Sequence, residues 1–311
     1  MASMRFLNKF ISGYGIVGFF VLAIPQCEGF FSSPELRKKP ADKLSPHTIT
    51  VSYMEGAGVG YPSGYTSLKF FAARDRPWLQ QRLQPFFDAR GHILNTGKGA
   101  VNIGAGGRYL IPSHGIAFGL NTYYDYRDDW RSYSQIGVGV EALTCSIDVR
   151  INGYIPIGER SKTKEKEFTF PGGYFAICNR KQRSLGGVDG EISSSMKQWL
   201  PCTHWNLGFA AGPYFYHREC GDSIMGIKGR LSLQIYKYLS IEGRASYDNV
   251  FRDRFQGLIS LTFPLGKQTA YSKSCKDSCS KGHLREIAVQ PVQRSEIIVL
   301  DHKRCSWEWN W

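Results

Sequence analysis

From residue 48 onward the chain alternates. In the stretch GIAFGLNTYYDY, beginning at Gly115, the residues Ile116, Phe118, Leu120, Thr122, Tyr124 and Tyr126 fall on one face of an extended strand. Ala117, Gly119, Asn121, Tyr123 and Asp125 fall on the other. One face is apolar and the other small or polar. The same period returns in AVNIGAGGRYL, SQIGVGVEAL, CSIDVRINGY, MGIKGRLSLQI, LSIEGRASYD and FQGLISLTFPL, with Leu258 as the exception in the last. No stretch between 48 and 265 keeps a helical period.

The pattern predicts twelve strands, near 48–58, 64–73, 83–92, 99–110, 115–126, 134–143, 145–154, 186–194, 203–218, 224–236, 239–248 and 254–265. At about 10 residues each they fill roughly half of that span, which suits a closed antiparallel barrel. Connections near 111–114, 143–145 and 236–239 are very short, whereas 155–185 is a long polar loop. Alternation alone fits a soluble barrel as well as a membrane one. The charges decide between them. The apolar faces of the strongest strands hold no charge, and a basic side chain on a lipid face would cost about 2–4 kcal/mol at mid-membrane. Charges of both signs sit on the opposite face: Asp88, Arg90, Arg108, Glu141, Asp148, Arg150, Lys228, Arg230, Glu242 and Arg244. These ten are the expected lumen-facing set. Aromatic clusters at strand ends (Tyr123, Tyr124, Tyr126; Tyr214, Phe215, Tyr216; Tyr236, Tyr238; Tyr247) read as girdles at the lipid interfaces. The expected fold is therefore all-β, a transmembrane barrel of about twelve strands. A soluble exported all-β binding protein is the alternative.

The run from Gly104 to Gly158 resembles the β-barrel domain of the intimin and invasin family, the inverse autotransporters. The resemblance rests on Gly106 to Arg108, on Gly119 to Tyr126 (G-x-N-x-Y-x-D-x), on the Gly-rich strand Gly137 to Glu141, and on Asn152 to Tyr154. The segments AAGPYFY, LSIEGRASYD and LISLTFPL look like that barrel's closing strands. It implies an outer-membrane translocation domain. Family members export a passenger of immunoglobulin-like repeats, and the residues after Leu265 are too few for one such domain of about 100 residues. The expectation is a stand-alone envelope barrel, with a porin-like solute pore as the alternative function.

The flanks add compartment and charge. Residues 1–29 read as a signal peptide, with Arg5 and Lys9 before an apolar run from Phe10 to Ile24 and a cleavage site near Gly29. An uncleaved anchor is the alternative reading of that run. Residues 30–47 form a basic, Pro-containing linker, 48–265 the outer-membrane barrel, and 266–311 a Cys-containing tail that is either a lumenal plug or a periplasmic extension. Export permits disulfides, locally between Cys275 and Cys279 or to other envelope proteins. The mean hydropathy of −0.29 averages two opposite faces, so it does not describe a soluble surface.

The formal charge of +13 gathers in the linker, the 160–183 loop and the tail. It points to outer-membrane lipid and anionic lipopolysaccharide as partners, alongside the outer-membrane assembly machinery, and not to nucleic acid. No metal-ligand spacing, nucleophile elbow or cofactor motif stands out, so no metal, no cofactor and no enzymatic activity are expected.

Overall fold

The computed structural model describes residues 42–310 apart from 75–77, 80–81, 145, 170–174, 197–204, 220, 236–237, 267–268 and 272–280. The expected signal segment, residues 30–41 of the linker, and Cys275 and Cys279 lie outside the described residues.

A three-residue strand, β1 (Asp42–Leu44), leads into the wall. The first seven wall strands are β2 (His47–Glu55), β3 (Tyr65–Ala73), β4 (Leu83–Leu94), β5 (Gly99–Ile111), β6 (Ile116–Asp128), β7 (Ser132–Thr144) and β8 (Ile147–Ile157). An excursion follows, made of β9 (Ser161–Thr169) and β10 (Phe175–Ser184). The wall resumes with β11 (Gly187–Ser195), β12 (Trp205–Tyr216), β13 (Ile224–Ile235), β14 (Leu239–Asp248) and β15 (Arg252–Leu265). Antiparallel pairing of β15 with β2, from Gly257↔Glu55 to Leu265↔His47, closes a barrel of twelve strands. Closure satisfies every wall strand on both edges, as a sheet in lipid requires. β16 (Thr269–Tyr271) pairs with β1 at the end where the barrel begins and finishes. A single helix, α1 (Lys281–Ala288), and a last strand, β17 (Leu300–Asn310), complete the described chain.

The wall strands coincide with the alternating segments to within a few residues at each end. Their polarity is inverted relative to a soluble barrel. Leu120 is 66% exposed and Met225 65%, whereas Asp125 and Arg127 are each 1% exposed. Apolar side chains meet lipid and charged ones are enclosed, which is why the period is two throughout.

Two departures from the sequence expectation matter. The 155–185 segment is not only a loop: β9 and β10 form a hairpin, and β17 pairs with β10 to make a three-stranded sheet β17-β10-β9. Cys178 on β10 is buried there and disulfide-bonded. Second, Tyr123, Tyr214 and Tyr216 are not girdle residues. They are buried, and the Tyr123 and Tyr214 hydroxyls donate to Asp88 (2.8 Å) and Asp248 (2.6 Å). The parity of each strand sends them inward; Tyr124, Tyr126, Tyr238 and Tyr247 face out.

The occupied lumen as candidate functional site

The paired strands β1 and β16 and the short turns at 112–115 and 145–146 lie at one end of the barrel, the short-turn end, and the 158–186 excursion lies at the other. The C-terminal segment joins the two. At the short-turn end, Leu284, Ile287 and Ala288 of α1 pack on Leu110, Ala117 and Leu143. Midway, Val292 packs against Phe71, Phe86 and Tyr123. Ile297 then fills a socket of Met54, Tyr65, Leu94 and Leu258. Near the far end Val299 meets Tyr154, Leu185 and Tyr216, and Ile298 and Leu300 meet Tyr133. Residues 289–299, neither helix nor strand, connect the contacts at the two ends. The tail thus crosses the lumen and emerges as β17 beside the β9–β10 hairpin.

Glycine makes room for this. A Cβ at Gly104 would collide with the Tyr123 ring, and one at Gly137 with the Arg294 guanidinium. The small residues of the polar face thereby admit large inward side chains and a second layer of chain.

Charge sets the tail's register. Arg294 makes a two-pronged pair with Asp125 (2.7 and 2.6 Å) and lies over the Tyr123 ring at 4.2 Å. Glu296 accepts from Lys69 (2.5 Å) and Arg90 (2.7 Å). Asp125 also accepts from Asn102 (2.8 Å) and Gln135 (3.0 Å). His92 joins the same network: the Ser67 hydroxyl donates to its Nδ1 and its Nε2–H donates to Asn102 Oδ1, both at 2.7 Å, an assignment fixed by Asn102 using its amide to donate elsewhere.

The expected lumen-facing charges occupy the inner face as a paired network. Arg90 holds Asp88 at 2.5 Å, Arg108 holds Glu141 at 3.0 Å, and Arg150 joins Asp148 (3.0 Å) and Glu141 (3.4 Å). Lys228 pairs with Asp189 at 3.0 Å, Arg230 with Glu191 at 2.6 Å, and Arg244 with Glu242 at 2.9 Å. Several of these pairs are two residues apart on one strand, which alternation makes same-face neighbours. Asn102, Asp125 and Asn152, on the polar face by alternation but outside the expected set of ten, belong to the same network, and Lys69, Arg127, Asp189 and Glu191, not expected from the sequence, share the inward parity. The sequence reading also missed Arg294 and Glu296, which carry no periodic signal.

The tail leans toward β3–β8. Against β11–β15 it leaves a cavity of about 120 Å³, bordered by Lys228, Arg230, Arg244, Arg254 and Gln293 among others. Among the described residues no group of three or more His, Cys, Asp or Glu is placed to hold a metal ion.

Together these features define an outer-membrane β-barrel of twelve strands whose lumen is occupied by its own C-terminal segment. Residues 76–208 match the family model of the inverse autotransporter β-domain, the family that the Gly104–Gly158 motif resembles. A search of curated proteins returns no match. Among solved structures, a membrane protein from work on in-meso crystallization superposes with a TM-score of 0.54 at 14% identity, covering 82% of this chain and all (100%) of that one. An outer membrane channel from Pseudomonas putida F1 aligns at 10% identity over 75% of this chain and 100% of its own, with a TM-score of 0.46. The first of these likenesses speaks to the fold alone.

Proposed function

We propose that this barrel conducts its own C-terminal segment from the periplasmic end of the lumen to the outer face and holds it there, and that it does not serve as an open solute pore. The carrying observation is the continuous path of residues 281–300, from the α1 contacts at the short-turn end to β17 at the other. In barrels of this kind the long loops face the exterior, so the long 158–186 excursion that carries the β9–β10 hairpin stands outside, and β17 paired with it. Residues 1–29 act as the export signal and are removed. The chemistry is mechanical and electrostatic; no catalytic step is assigned to it. The basic β9–β10 hairpin, with Lys162, Arg180, Lys181 and Arg183, is suited to contact with anionic lipopolysaccharide.

An epitope placed after Asn310 tests the reading. On intact cells it should be removed by external protease, and the purified barrel should conduct far less in planar bilayers than a version lacking residues 281–310. An epitope protected until the outer membrane is broken would refute the proposed path.

A further inference from the structure

Besides its side chains, the wall grips the tail by its backbone. Arg108 Nη1 donates to the carbonyls of Ala288 (3.0 Å) and Gln290 (2.5 Å), and Arg90 Nη2 to that of Val292 (2.7 Å). Asn152 Nδ2 donates to the Gln293 carbonyl (3.3 Å), Asn102 Nδ2 to that of Glu296 (2.9 Å), and Arg127 Nη1 to that of Ile298 (2.6 Å). The Leu185 amide takes the Val299 carbonyl at 3.0 Å, and the Ser295 amide donates to the Tyr154 hydroxyl at 2.8 Å. The donor side chains come from β4, β5, β6 and β8 and climb the lumen in step with the tail.

Main-chain carbonyls are present in every sequence. A buried carbonyl without a partner is costly, and among the described residues no strand pairs with residues 289–299. Side-chain donors on the wall supply what a strand neighbour would supply in a sheet. They are long or planar groups with several N–H bonds, able to re-aim as carbonyls pass.

We propose that Arg90, Asn102, Arg108, Arg127 and Asn152 form a sequence-independent track for the backbone of a threaded polypeptide. On this view Arg294 and Glu296 do not admit the chain; they set where it stops. The inference rests on the threaded path proposed above and adds to it what the lumen offers a passing chain: donors for its backbone, the side-chain sockets and charges serving to fix the docked register. It predicts that segments unlike the native tail are accepted.

Two sets of substitutions in the full chain separate the roles. The tail set is Val292→Ala, Arg294→Ala and Glu296→Ala together. The track set is Asn102→Ala, Arg127→Met and Asn152→Ala together. The readout is the fraction of a C-terminal epitope cleaved by external protease on intact cells, with heat-modifiable migration on gels reporting a folded barrel. The tail set should keep that fraction within about twofold of the parent, and the track set, losing several hydrogen bonds, should lower it about tenfold or more while still migrating as a folded barrel. If the track set displays the epitope normally, or the tail set abolishes display, the proposal fails. If the track set is not heat-modifiable, Asn152→Ala alone carries the test, since it leaves all the wall ion pairs in place, and an unchanged fraction then overturns the proposal. A parent chain whose epitope is never cleaved from outside refutes the threaded path itself, a result distinct from these, and takes the track with it.

Discussion

Replacing Arg294 by Met isolates the charge that holds the tail in place. The side chains of Arg294 and Asp125 are 2% and 1% exposed, so the substitution leaves a carboxylate enclosed without a cation. Breaking a buried pair from one side costs about 3–5 kcal/mol. Asp125 keeps its hydrogen bonds from Asn102 and Gln135, and Met preserves the apolar contact with Tyr123, which places the cost at the low end, about 3 kcal/mol. At about 1.4 kcal/mol per factor of ten, the undocked tail should become roughly a hundredfold more populated. Hydrogen–deuterium exchange with mass spectrometry on the detergent-solubilised protein reads that population. Amides from Val289 to Val299 should exchange faster by about that factor, and those of β4–β7 should not change. An acceleration of less than about threefold, or one spread evenly over the wall, would refute the argument that this pair fixes the tail.

Other perturbations address the remaining contacts. Ile297→Ala empties the socket of Met54, Tyr65, Leu94 and Leu258 and should cost about 2–5 kcal/mol, seen as faster exchange confined to the last third of the lumenal segment. Gly137→Val puts a side chain where the Arg294 guanidinium lies, and should raise bilayer conductance by displacing the tail while the barrel still migrates as a folded species. Leu120→Arg introduces a charge on the lipid face and should destabilise the barrel by about 2–4 kcal/mol in bilayers, measured as a lower heat-modification temperature.

Much of the wall was legible because each strand records its two solvents locally. Leu120 faces lipid and Asn121 faces the lumen, and that contrast needs no knowledge of any other segment. What the sequence hides is the identity of the partner inside. Leu258 breaks the alternation of its strand, and the reason is Ile297, a residue far along the chain whose side chain completes the same cluster. Tyr123, Tyr214 and Tyr216 sit beside aromatic residues of the lipid face, so composition at strand ends could not separate girdle from lining; parity could. The tail escaped periodic analysis because Val292, Ile297, Ile298 and Val299 contact different walls in succession. A segment enclosed on all sides has no polar face to alternate with. The β9–β10 hairpin was hidden for another reason: β9 is too charged to resemble a lipid-facing strand.

The distribution of charge separates a barrel built around its tail from a pore that happens to be blocked. Most wall charges neutralise one another, as Asp88 does with Arg90 and Glu141 with Arg108. Asp125 and Lys69 are exceptions, because their ion-pair partners are Arg294 and Glu296 of the tail. Take the tail away and the wall carries an enclosed carboxylate on β6 and an ammonium on β3, on strands separated by β4 and β5. A porin lined by water would tolerate both. A narrow lumen, with Phe71, Phe86, Met54 and Leu258 beside them, would not, because burying a charge without a counter-ion is costly. The inward apolar sockets and the unmatched charges therefore have one common explanation: the wall's composition already includes the tail, and the docked arrangement is the folded state of the lumen.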